Sequence, residues 1–171
     1  MSKKKILFFV STDRYFLTHR LELAVAAIKK NFDIYLITTI TSKKYLKKIR
    51  KNNINIFNLR LKRSNLNPFS EILVLLKIFM YVRKINPDVM HNVALKPVIY
   101  GSILGKFMNT KTIINAVSGT GIVFSRKGIL NVILQLFIKS MLYISIKNSK
   151  VIVQNKSDKK FIKTLHKNQT E

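Results

Sequence analysis

A chain of 171 residues, 47% of them hydrophobic, can bury the core of one ordinary domain, which excludes a disordered chain and leaves little room for two domains. The absence of cysteine excludes disulfides, thiolate metal sites and a cysteine nucleophile, and suits a reducing compartment. With 32 Lys+Arg against 7 Asp+Glu, the net charge of +25 draws anionic partners, although a chain crowded with Lys, Ile and Asn also reflects A/T-rich codons.

Residues 5–10 (KILFFV) form a continuous apolar run, the pattern of a strand buried on both faces. Ser11, Thr12 and Asp13 are N-cap types, and a helix is predicted from there to about Lys30, with Phe16, Leu17, Leu21, Ala24, Val25 and Ile28 at helical spacing. Residues 33–39 read as the second strand, 43–52 as a short basic helix and 54–59 as the third strand. Pro68 opens a helix to about Lys84, Pro87 breaks it, and 88–92 (DVMHN) make a short strand. A helix from Pro97 to about Met108 follows, then a strand at 111–116 and the loop Ser118-Gly119-Thr120-Gly121. A long amphipathic helix over 127–147, a strand at 150–153 and a helix at 156–167 complete the chain. Strands alternating with helices at this spacing predict an α/β domain, a parallel sheet with helices on both faces.

The apolar run Ile6–Val10 is too short for a secretory signal and meets Asp13 and Arg14. The stretch Ile129–Ile146 is interrupted by Asn131, Gln135 and Lys139, so it does not read as a spanning helix. Its Leu130, Ile133, Leu134, Phe137, Met141 and Leu142 suit either core and domain contacts or a helix lying on a membrane surface.

Ligands of an open parallel sheet bind beyond the C-terminal ends of its strands. Four places meet that criterion: the turn 11–14 with His19 and Arg20 behind it; His91-Asn92 with Lys96-Pro97; Asn115 through Gly121; and Gln154-Asn155. Each also has an ordinary structural explanation. Gly119 and Gly121 serve any turn needing positive φ, His19 lies one helical turn from Tyr15, and Lys96 is one lysine among 25. No dinucleotide fingerprint, phosphate-binding P-loop or zinc-helix motif is present, and no metal or cofactor site is expected.

The runs FLTHRLELAVAA (16–27), RSNLNP (63–68), INPDVMHNVALKPVIYGS (85–102), INAVSGTGIVF (114–124) and VIVQNKSD (151–158) together resemble one group, in order and spacing, over essentially the whole chain. That group is the bacterial family-4 glycosyltransferases of the GT-B fold, which build surface polysaccharide and lipid-linked oligosaccharide. The resemblance implies that residues 1–171 form a Rossmann-like, N-terminal, acceptor-side domain, with the C-terminal donor domain not included or supplied as a separately encoded chain. It implies a retaining, metal-independent transfer from a nucleotide-sugar to a lipid-linked or glycan acceptor, at the inner face of the cytoplasmic membrane, and little activity for this half alone. By residue, it implies acceptor or substrate contacts at His19, Arg20, His91 and Lys96. A donor-facing loop would hold Asn115, Ser118, Gly119 and Gly121. Where relatives have glycines in the first loop, this chain has Ser11-Thr12-Asp13, so Asp13 is expected to bond an acceptor hydroxyl. Some relatives carry a catalytic histidine near the position of Ser118, and no catalytic residue is assigned here.

The competing reading is a basic α/β binding module for nucleic acid or an anionic membrane, without catalysis. The excess of Lys over Arg and the lack of an RNA-binding aromatic signature, zinc pattern or arginine-rich arm disfavour nucleic acid.

Overall fold

The computed structural model describes residues 3–61, 68–118 and 129–167. The loop positions Gly119 and Gly121 lie outside the described residues. The strands are β1 (Lys5–Thr12), β2 (Asp33–Thr39), β3 (Asn55–Asn58), β4 (Val89–Val93), β5 (Thr112–Val117) and β6 (Lys150–Val153). The helices are α1 (Asp13–His19), α2 (Leu21–Lys29), α3 (Lys43–Arg50), α4 (Pro68–Ile85), α5 (Leu95–Phe107), α6 (Ile129–Ile146) and α7 (Lys156–Lys167). All strand pairs are parallel, in the order β3-β2-β1-β4-β5-β6. This is the doubly wound arrangement, whose strand order reverses between β1 and β4.

β1 is buried from Leu7 to Val10 because its side chains alternate into two cores. On one face Phe8 and Val10 pack with Phe16 of α1, Ala24 of α2 and Ile49 of α3. On the other, Leu7 and Phe9 meet Ile78, Val82 and Ile85 of α4, with Tyr100 and Leu104 of α5 at the margin. A third cluster joins Val98 of α5 and Val117 of β5 to Leu142 and Ile146 of α6 and Ile162 of α7. Helices α1–α3 therefore cover one side of the sheet, and α4, α5 and α6 the other.

Element ends shift by one or two residues from expectation, and two of the differences have a clear cause. The helix predicted over 13–30 is broken at Arg20, whose non-helical φ of −134° ends α1 and starts α2. Helix α5 begins at Leu95, so Pro97 is its third residue; a first-turn N–H has no intrahelical partner, and proline fits there too. Asparagine stands where helices usually recruit glycine: Asn31, Asn53, Asn86, Asn109 and Asn148, each just past one of α2–α6, have φ between 48° and 66°.

Between β4, β5 and the α5/α6 layer lies a buried polar network. Asn92 Nδ2 donates to Asn115 Oδ1 at 3.0 Å, as does Ser102 Oγ at 2.9 Å. Asn115 Nδ2 donates to Ser149 Oγ at 3.0 Å and to the Ser145 carbonyl at 3.2 Å. Asn92 fits only because residue 101 is glycine: a Cβ there would lie 2.2 Å from Asn92 Oδ1. Gly101→Ala is therefore expected to cost ~3 kcal/mol in urea denaturation, and adding Asn92→Ala should recover part of that loss.

Candidate functional site

The reversal of strand order puts the turns after β1 and β4 side by side, with Phe8 opposite His91 and Val10 opposite Val93 in register. Arg20, between α1 and α2, reaches His91 of β4 on one side of this reversal, and Lys96 of α5 lies on the other.

Asp13, the first residue of α1, is fully buried. Its Oδ1 accepts from Thr41 Oγ1 at 2.6 Å and the Arg14 N–H at 2.8 Å; its Oδ2 accepts from the N–H of Thr41 at 2.9 Å and of Ser42 at 3.4 Å. The expectation that Asp13 bonds an acceptor hydroxyl is corrected by this arrangement. Its oxygens tie the β1–α1 turn to the β2–α3 loop and offer no surface to a ligand.

The break at Arg20 aims its guanidinium across the sheet. Arg20 Nε donates to His91 Nε2 at 3.1 Å, and Nη1 donates to the His19 carbonyl at 2.8 Å. His91 is buried in the middle of β4 and packs on Phe8, ring centroids 5.3 Å apart. Burial, and then the Arg20 charge, hold its imidazole down at about 4 from the usual 6.5, so near neutral pH it is an uncharged acceptor for Arg20.

His19 is exposed, its ring 4.4 Å from that of Tyr15 between centroids. Tyr15 in turn donates to Gln154 Oε1 at 3.0 Å, so the first and last of the four sequence candidates meet at one rim. Beyond Gln154, Asn155 and Asp158 cap each other: the Asp158 N–H donates to Asn155 Oδ1, and Asn155 Nδ2 donates to Asp158 Oδ2, both at 2.7 Å. This reciprocal pair fixes the start of α7 in the manner of a capping box.

Lys96 is the second residue of α5 and turns to the opposite side of the sheet from Arg20. Its Nζ forms an ion pair with Glu71 Oε1 of α4 at 2.8 Å, while Tyr100 Oη donates to Glu71 Oε2. Burial, reinforced by that carboxylate, pushes the Tyr100 hydroxyl well above its ordinary value. Just before α5, Ala94 has φ 80° and ψ 164°, a conformation that side chains rarely adopt, and its N–H donates to the Ala116 carbonyl at 3.2 Å.

Ser118 follows β5 directly and is half-buried. Asn115 is not in a donor-facing loop: it lies within β5, fully buried, with its amide spent on the network described above. The structure therefore joins Arg20 with His91, links His19 to Gln154 only through Tyr15, sends Lys96 to Glu71, and withdraws Asp13 and Asn115 into the interior. Glu71 and Tyr100 had no motif to mark them. The available signal was scarcity, since Glu71 is one of only seven acids in the chain. Among the described residues no cluster of His, Asp or Glu suits a metal ion.

The six-stranded sheet and its two helical layers correspond to one half of a GT-B fold. The family model described as "Glycosyl transferase 4-like" matches residues 5–155, and the chain belongs to that family. A search of curated proteins by sequence finds no match. Among solved structures, a putative UDP-N-acetylglucosamine 2-epimerase from Listeria monocytogenes is similar at TM-score 0.60 and 13% identity, over 100% of this chain and 44% of that one. MurG of Acinetobacter baumannii is similar at TM-score 0.52 and 12% identity, over 91% of this chain and 47% of that one. TubZ of Clostridium botulinum phage c-st reaches TM-score 0.52 at 12% identity, over 98% of this chain and 59% of that one. At such identities the likeness speaks for the fold alone, and the chain spans about half the length of these structures.

His91 carries a measurable consequence. A base whose folded value lies below its unfolded one contributes stability above the unfolded value, here 6.5, and loses it as pH falls toward 4. From pH 7 to pH 4 the native chain is expected to lose ~2–3 kcal/mol more than His91→Gln, read from paired urea titrations.

Proposed function

We propose that this chain is the acceptor-side half of a retaining glycosyltransferase, which moves a sugar from a nucleotide-sugar to a lipid-linked or surface-polysaccharide acceptor. The observation that carries the reading is the family match over residues 5–155. The reversal of strand order between β1 and β4 supports it, with the Arg20–His91 pair on one side of the sheet and Lys96, just beyond β4, on the other. Arg20 is oriented by its bond to neutral His91, so its charge is held in place before any ligand arrives, which is the preorganisation that charge recognition requires. Stabilising a departing nucleoside diphosphate and excluding water call for a second domain on the donor side. The chain by itself is accordingly expected to turn over nucleotide-sugars negligibly. Assaying it against UDP-, GDP- and dTDP-sugars, alone and mixed with the matching donor domain, checks this. Turnover by this chain alone, or no gain on mixing, would remove the two-part reading.

The acceptor class places the enzyme at the inner face of the cytoplasmic membrane, and the outward side of α4–α6 supports that location. Phe69, Ile72, Leu73, Leu76 and Met80 of α4, Ile103 and Phe107 of α5, and Ile133, Leu136 and Phe137 of α6 are all exposed. Lys77, Arg83 and Lys84 on α4 stand beside them, a pairing of apolar and basic groups suited to anionic lipid. The helix over 127–147, singled out from its sequence, is divided in use: Leu142 is buried, whereas Ile133 and Phe137 face outward. No helix among the described residues is long and apolar enough to cross a membrane. Leu73→Glu with Leu76→Glu is expected to weaken binding to phosphatidylglycerol vesicles at least tenfold in co-sedimentation. Leu23→Glu, on the α1–α3 side, should leave it unchanged.

A further inference from the structure

We infer that Glu71 is a positioning residue, which holds the Lys96 ammonium at the start of α5, just beyond the end of β4, for the acceptor; this rests on the glycosyltransfer reading above. Lys96 occupies the second position of α5, in a first turn that contains no acid and whose N-cap residue, Ala94, makes no side-chain cap. A cation at the positive end of a helix dipole is the opposite of what helix stability favours. The chain nonetheless puts a lysine there, at the end of the β-strand that flanks the strand-order reversal, and brings the compensating carboxylate from another helix 25 residues away.

Glu71 is well suited to that task. It lies in the first turn of α4, where the dipole favours an acid. One oxygen is paired with Lys96 at 2.8 Å and the other receives the Tyr100 hydroxyl, so the carboxylate is fixed from two sides before it fixes Lys96. The ion-paired side chains of Lys96 and Glu71 are 20% and 18% exposed, enough burial to hold a defined geometry and enough opening for an acceptor to reach Lys96. Tyr100 stands one helical turn beyond Lys96 on α5, so the helix itself delivers the third member. With Glu71 in place the group offers a directed N–H donor with its charge balanced. That is chemistry for a sugar hydroxyl of the acceptor rather than for its diphosphate.

The test uses the 171-residue chain and, as probe, a short-chain prenyl-diphosphate-linked N-acetylglucosamine. Glu71→Gln and Lys96→Gln are each expected to weaken probe binding at least fivefold, with the double variant no weaker than either single one. Tyr100→Phe should give a smaller loss in the same direction. Lys96→Gln leaves the Glu71 carboxylate without its cation and should lower the melting temperature modestly, so the binding cycle rather than stability carries the test. Acylation of Lys96 by an N-hydroxysuccinimide ester, read by mass spectrometry against Lys111 as internal reference, should rise at least threefold in Glu71→Gln. Additive losses in the double variant, or an unchanged acylation rate, would overturn the role of Glu71 alone. Failure of the native chain to bind the probe would overturn the acceptor reading itself.

Discussion

Parallel strands leave the loops at their ends without ladder partners, and in this molecule one buried carboxylate closes the gap between the loops after β1 and β2. Asp13 accepts from the side chain and backbone of Thr41 and from the backbone of Ser42, while heading α1. Removing it would take the acceptor from part-buried donors in two loops at once, a larger loss than that of one exposed hydrogen bond. The position of α1, and through it of Arg20 and His19, depends on this tie. In a chain with 32 cations and seven acids, several of the acids are spent in this way. Asp88 accepts the N–H of Lys5 and pairs with Lys111 at the opposite end of the strands, Asp158 caps α7, and Glu71 joins α4 to α5.

The segments that suggested the family from sequence prove to be largely a set of structural fasteners. Within 85–102, Asp88 clamps strand starts, Asn92 requires Gly101, and Ser102 completes the buried network. In 151–158 the Asn and Asp form a capping pair, and Gln154 receives Tyr15. Among the described residues of these segments, His91, Lys96, Ser118 and the His19-Arg20 pair remain, within β4 or in the stretches that follow β1, β4 and β5. A family can thus be legible through residues that shape its fold, while the atoms that meet the substrate stay few.

The order and type of the elements were legible because each strand is a short apolar run and each long helix repeats its apolar residues at helical spacing. The break at Arg20 was hidden, since Phe16, Leu17, Leu21 and Ala24 run through it without a lapse in period. Asp13 looked like a ligand contact because it stands beyond β1, in the loop where relatives have glycines; its partner Thr41 lies 28 positions on and carries no local mark. Asn115 misled for the same reason. Its partners Asn92, Ser102, Ser145 and Ser149 lie 13 to 34 positions away, so only folding reveals that its amide is already satisfied. Glu71 and Lys96 are separated by 25 positions and joined only by the packing of two helices.

The outward side of α4–α6 also bears on how the molecule behaves in bulk solution. With a net charge of +25, copies repel one another strongly when little salt is present, and their apolar sides are kept from meeting. Adding salt shortens the reach of that repulsion to about 10 Å at 0.1 M, while leaving the attraction between apolar surfaces intact. Colloidal stability then falls as ionic strength rises, the reverse of proteins held together by charge. Moderate salt is then expected to promote self-association of this chain, and a non-ionic detergent, which covers the apolar side without cancelling its charge, to prevent it.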